Sequence, residues 1–193
     1  MTDRRNKHSA EQIEALLQGT SQGDADPRLR DAVRQLDAGL AEPGSSALRD
    51  RLLASCQTGD LTAYTSRAAH FLDVTEDHAR DILARCRQDP TDWPQHPVDG
   101  LALIPLELGP RHESARGMVL HLAPGARIPE HAHRGDEWGL ILSGALADNL
   151  EDDKGPGDLV YRTPEMVHRV WNPGSVPALV LNVIHGGYDW LPG

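Results

Sequence analysis

Apolar positions change their period near residue 90. Before it they recur three and four apart: Leu29, Val33, Leu36 and Leu40 form one series, and Leu48, Leu52 and Leu53 open another. That spacing lines one face of a helix. Start signals accompany it. Ser9 with Gln12 makes a capping box; Asp26-Pro27 sets an N-cap before a proline at the first helical position; Ser46 opens the third segment. A fourth runs from about Leu61 to Phe71, and Thr75 caps a fifth, whose first turn holds Glu76 and Asp77 where the helix dipole favours acids. The pattern predicts a small all-α domain over residues 1–89.

Residues 90–99 hold three prolines and read as a linker. Beyond it come short apolar or alternating runs separated by Gly and Pro: 101–108, 117–122, 138–142, 145–150, 158–162, 167–171 and 178–184. Runs of this length and punctuation predict a mainly β barrel or sandwich over residues 100–193.

Charge narrows the function. The 193 residues carry 19 Lys and Arg against 29 Asp and Glu, a net charge of −10. The excess is acidic on both sides of residue 90, so direct binding of nucleic acid through its phosphates has no support. Residues 67–85 have the outline of a helix-turn-helix, but its second helix would bring Glu76 and Asp77 toward the phosphates, and a packed helical hairpin is the better reading. No apolar run has membrane-spanning length and the N-terminus has no signal-peptide core, which predicts a cytoplasmic protein. Cys56 and Cys86, the only cysteines, lie within apolar helical patterns and read as reduced, buried small hydrophobes.

Candidate chemistry is concentrated in residues 125–144. His131 and His133 are two apart, so on an extended strand both imidazoles point to one face. Glu137 follows a glycine-containing bend that can return its carboxylate to the same side. Two imidazoles and a carboxylate converging from rigid strands suit a transition metal.

Gly125, His131, His133, Glu137 and Gly144 match every fixed position of the first motif of the cupin superfamily, which this stretch resembles. Gly157, His168 and Asn172 fit the spacing of that family's second motif, although Thr163 and Glu165 stand where Pro and Gly are usual and Pro164 falls one place late. The resemblance implies a single C-terminal cupin (jelly-roll) barrel and makes His168 the fourth ligand. The implied cofactor is one divalent transition metal, zinc first, with Fe, Mn, Ni or Cu as alternatives that ligand type does not separate.

Strand parity carries a corollary. With Glu137 and His168 facing inward, Trp138, Leu140, Leu142 and Trp171 face outward, a stripe too apolar for water. Other strands, the helical domain or a second subunit in a homodimer would cover it. Parity does not say whether Arg127, Tyr161 or Arg162 reaches the cavity, and His112, His121 and His185, which lack motif spacing, read as surface or packing residues.

Helices, Pro-rich linker and single cupin together resemble the ChrR-type anti-sigma factors and their cupin relatives. The local matches are Pro-Glu-His-Ala-His-Arg-Gly-Asp-Glu, Gly-Pro-Gly-Asp-Leu-Val and Val-Ile-His-Gly-Gly-Tyr. The resemblance implies a sigma factor as partner, held by the N-terminal helices, and a cupin that responds to oxidative signals. One departure stands out: the His-x-x-x-Cys-x-x-Cys cluster of that family's N-terminal zinc site is absent, although His8 is present. Residues 1–89 are accordingly expected to fold without zinc. Three readings follow: a metal-binding regulator or sensor, a cupin metalloenzyme such as a dioxygenase or small-molecule lyase, or a cupin whose metal is structural.

Overall fold

A computed structural model describes residues 60–151 and 153–191. The three helices expected before residue 60, Cys56 and His8 lie outside the described residues. A 3₁₀ turn at Thr62–Tyr64 leads into α1 (Thr65–Leu72), and α2 spans Glu76–Arg85. Thr75 caps α2 as expected, its hydroxyl accepting from the His78 N–H at 3.2 Å. Asp73 ends α1 in the left-handed conformation, φ 58°, and the two helices form the expected hairpin.

Among the described residues nine strands follow in two sheets. They are β1 (Leu101–Leu106), β2 (Ala115–Leu122), β3 (Arg127–His133), β4 (Glu137–Ser143), β5 (Ala147–Asp148), β6 (Leu159–Arg162), β7 (Val167–Trp171), β8 (Ala178–His185) and β9 (Tyr188–Trp190). Five order as β1-β2-β8-β4-β6 and four as β5-β7-β3-β9, every pair antiparallel. Long-range pairs such as β2 with β8 and β3 with β7 close the jelly roll, so the mainly β expectation holds.

The outward stripe divides between the sheets. Leu140 and Leu142, fully buried, share one apolar cluster with Tyr64, Phe71, Leu72, Ile82 and Leu83, and Trp138 packs against it. The helical hairpin thus covers the outer face of the five-stranded sheet. Trp171 belongs to the other sheet, half-buried, with the Arg127 guanidinium 6.0 Å from its ring centre. The Pro-rich stretch is anchored too: Trp93 is 4% exposed and belongs to the same cluster, and Gln95 bridges to Ala102.

A polar latch fixes the hairpin to the β1–β2 connection. Gly109 N–H donates to Leu72 O (3.0 Å), Arg111 pairs with Asp73 through Nε (2.8 Å) and donates to His70 O, and His112 Nε2–H donates to Phe71 O (2.9 Å). Leu72 O and Phe71 O, at the end of α1, gain partners in this way, and His70 O, which also accepts from Asp73 N–H, gains a second.

Candidate metal centre

β3 and β7 bring the histidines together. His131 and His168 are direct register partners, and His133 lies two residues along β3 on the same face. Glu137 opens β4 in the opposite sheet, beyond the bend at residues 134–136. One ligand atom from each of His131, His133, Glu137 and His168 falls within 4.8 Å of the others, and all three histidines are buried. The four residues expected from the sequence therefore converge.

Hydrogen bonds set the imidazole tautomers. His131 Nδ1 lies 2.9 Å from Pro129 O. A carbonyl only accepts, so Nδ1 carries the proton and Nε2 keeps its lone pair. His168 Nδ1 faces Asp148 Oδ2 at 3.4 Å, which likewise makes its Nε2 the lone-pair nitrogen. That Nε2 accepts from His133 Nε2–H at 2.8 Å. His133 Nδ1 sits 3.0 Å from Glu137 Oε2 without hydrogen-bond alignment and is buried with no bonded partner.

Electrostatics agree. Burial pushes His131 down to about 4 and His133 down to about 3, in His133 with help from His168 and His131. Both are neutral near pH 7, the form that ligates a metal. Burial raises the Glu137 carboxyl, against a hydrogen bond from Asn182 Nδ2 to its Oε1. Neutral His131 and His133, the Nε2 lone pairs of His131 and His168, and one desolvated carboxylate gather acceptors around one point. A divalent cation is the group such a set lacks, and the donors fit one.

Around the four lie residues that sequence reasoning did not identify as part of the site. Asp148, on β5, takes the His168 bond and pairs with Arg162 NH2. Burial opposes its ionisation, but His168 and the Arg162 guanidinium outweigh this and hold the carboxyl well below the usual range. Its short strand sits where a run over 145–150 was expected, and nothing in that sequence marks it. Asn182 had a signal, a lone polar residue inside the apolar run of β8. Tyr188 and Trp190 of β9 pair in register with His133 and His131, their ring centres 5.4 and 5.7 Å from that of His131.

The remaining expectations resolve by position. Arg162 lines the cavity. Tyr161 points away, stacked on Trp138 with ring centres 3.9 Å apart and donating to Asp136. His121 lies edge-on to Trp93, and His112 and His185 sit side by side at the latch, so none of the three joins the site. Asn172 is structural: its amide donates to Leu122 O and Val176 O, and its Oδ1 accepts from Gly174 N–H. Gly144 has φ 72°, and a Cβ there would stand 2.4 Å from Pro177 O, which explains the motif glycine.

The cavity measures about 50 Å³ and is otherwise walled mainly by Leu, Val and Ile.

Residues 118–184 match the family model described as Cupin domain. No curated protein is similar to the chain in sequence. Similar solved structures include a protein of unknown function with a cupin-like fold from Ralstonia eutropha JMP134, at 21% identity and TM-score 0.43 over 48% of this chain. The match spans 59% of that protein's length. An acetylacetone dioxygenase from Acinetobacter johnsonii matches at 13% identity and TM-score 0.47, covering 55% of this chain and 76% of its own. The Cupin_2 domain of an XRE family transcriptional regulator from Enterobacter cloacae matches at 20% identity and TM-score 0.39, covering 45% and 97%. With two motifs on one jelly roll and a family match running from β2 to β8, residues 118–184 of this chain form a cupin domain.

Proposed function

We propose that His131, His133, Glu137 and His168 hold one divalent transition metal, zinc first, and that the protein is an anti-sigma-type regulator or sensor of oxidative signals. The observation that carries the metal assignment is the convergence of four acceptor groups within 4.8 Å in a buried cavity. When bound, the ion would supply Lewis acidity and, for iron, manganese or copper, redox chemistry. The protein's own groups position the ligands: Pro129 O and Asp148 orient two imidazoles, and Asn182 orients the carboxylate.

Two features support regulation over the alternative, a cupin metalloenzyme such as a dioxygenase or small-molecule lyase. The cavity is small, about 50 Å³, and its wall beyond the ligands and their polar neighbours is Leu, Val and Ile. The strand that presents Glu137 inward presents Trp138, Leu140 and Leu142 outward to the helical hairpin. A displacement of β4 at the metal would reach α1 and α2 through these contacts. An acidic chain suits a basic protein partner, such as the DNA-binding face of a sigma factor held through residues 1–89.

The test is a pull-down from native cytoplasm with the full chain, metal-loaded and chelator-treated. Recovery of a sigma factor that depends on metal state is expected. Turnover of a small molecule with Fe(II) or Mn(II), with no protein partner surviving washing, would make the enzyme reading correct.

A further inference from the structure

Arg162 is the unusual wall of the cavity. It is 3% exposed, among Leu120, Leu122, Val160, Val170 and Val180. Its NH1 donates to Tyr161 O at 2.7 Å, and its NH2 pairs with Asp148. Its Nε–H is buried without a partner. A buried charged donor left without an acceptor is costly, so an acceptor arriving in the cavity has a gain waiting for it.

Formal charge points the same way. Arg162 and Lys154 are together balanced by Asp148 and Glu151, with Glu151 3.4 Å from Lys154 Nζ and 3.5 Å from Arg162 Nη1. A divalent ion with three neutral imidazoles and ionised Glu137 retains one positive charge. In an apolar-walled cavity that charge is poorly screened, and one monoanion neutralises it.

The geometry points to this cavity as the binding site of a small monoanion, azide- or formate-sized at about three heavy atoms, that accepts a hydrogen bond from Arg162 Nε beside the metal. The inference rests on the metal-binding reading above. The donor selects for charge, the wall for small size, and the ion pair to Asp148 keeps the guanidinium in place.

The experiment uses the full chain loaded with Cu(II), its metal content measured first. Azide titration should give a saturable charge-transfer band that formate displaces and benzoate does not. Arg162→Lys keeps a cation for Asp148 but removes the Nε–H. It should keep its metal and weaken azide binding at least about tenfold. Absence of an azide band on metal-loaded protein overturns this inference and leaves the metal site standing, whereas failure to load metal overturns both. Azide affinity within about twofold of wild type in Arg162→Lys, or displacement by benzoate as readily as by formate, also overturns it. If Arg162→Lys does not fold, the size comparison on the wild-type chain decides.

Discussion

The backbone N–H of Glu165 donates to the carbonyl of His133 across 2.8 Å, tying the β6–β7 turn to the strand end that carries a candidate ligand. Glu165 makes this bond with φ 69°, in the left-handed region. It stands where the cupin motif has glycine. The turn geometry survives the substitution, at a cost of about 1–2 kcal/mol for a residue with a Cβ.

Replacing Glu165 by Gly should therefore stabilise the protein. Strain relief is partly offset by the greater freedom of glycine in the unfolded chain, leaving about 0.5–1 kcal/mol. Urea unfolding measures it. A destabilised variant would show that the Glu165 side chain holds the turn by a contact outweighing its strain.

Asp148→Asn should weaken metal binding about 10–100-fold. The variant loses the carboxylate that orients His168 and leaves Arg162 without its close counter-charge. Competition with a chromophoric chelator reads the affinity. Unchanged affinity would mean that β-strand register alone orients His168.

Acid should destabilise the metal-free protein from about pH 6.5 downward. His131 and His133 are held near 4 and 3, below their ordinary 6.5. Above 6.5 both states are neutral and the full stability is present. As pH falls toward the folded values, the unfolded chain takes up protons the native state refuses, and stability is lost. Glu137, raised by burial above its ordinary 4.5, acts in the opposite direction, its contribution growing as pH falls through its folded value toward 4.5. Thermal unfolding of apoprotein between pH 8 and 4 measures the slope, and a flat profile between 6.5 and 4 would contradict the buried-imidazole picture.

Leu140→Ala should cost about 2–5 kcal/mol. Leu140 is fully buried in the cluster that joins the five-stranded sheet to the hairpin. A loss below about 1 kcal/mol would mean that the helices do not seal that face in solution.

Much of this was legible in the sequence, for identifiable reasons. The shared face of His131 and His133 follows from strand alternation, and the glycine-containing bend lets Glu137 return to it, whereas His168 was named only through the resemblance to the cupin motif. The outward positions of Trp138, Leu140 and Leu142 followed from the same alternation. What covers them did not, because that depends on Tyr64, Phe71 and Ile82 arriving from a distant hairpin. The run at 145–150 shrank to Ala147–Asp148, since Asp148 Oδ1 turns to cap the N–H groups of Leu150 and Glu151. β9 was missed because three residues after Gly186-Gly187 show no period. Arg162 and Asn182 face the cavity through register with β4: Glu137 pairs with Arg162 on β6, and Asn182 on β8 pairs with Gly139. Such pairings are tertiary information that strand patterns alone do not hold.

The most direct measurement of the central claim is the metal content of the purified full-length chain after reconstitution, by elemental analysis, beside His133→Ala and His168→Ala. About one transition-metal ion per wild-type chain, with sharp loss in both variants while the β fold persists by circular dichroism, is the expected result. Less than about 0.2 equivalents in the reconstituted wild type, or equal content in the variants, would contradict it.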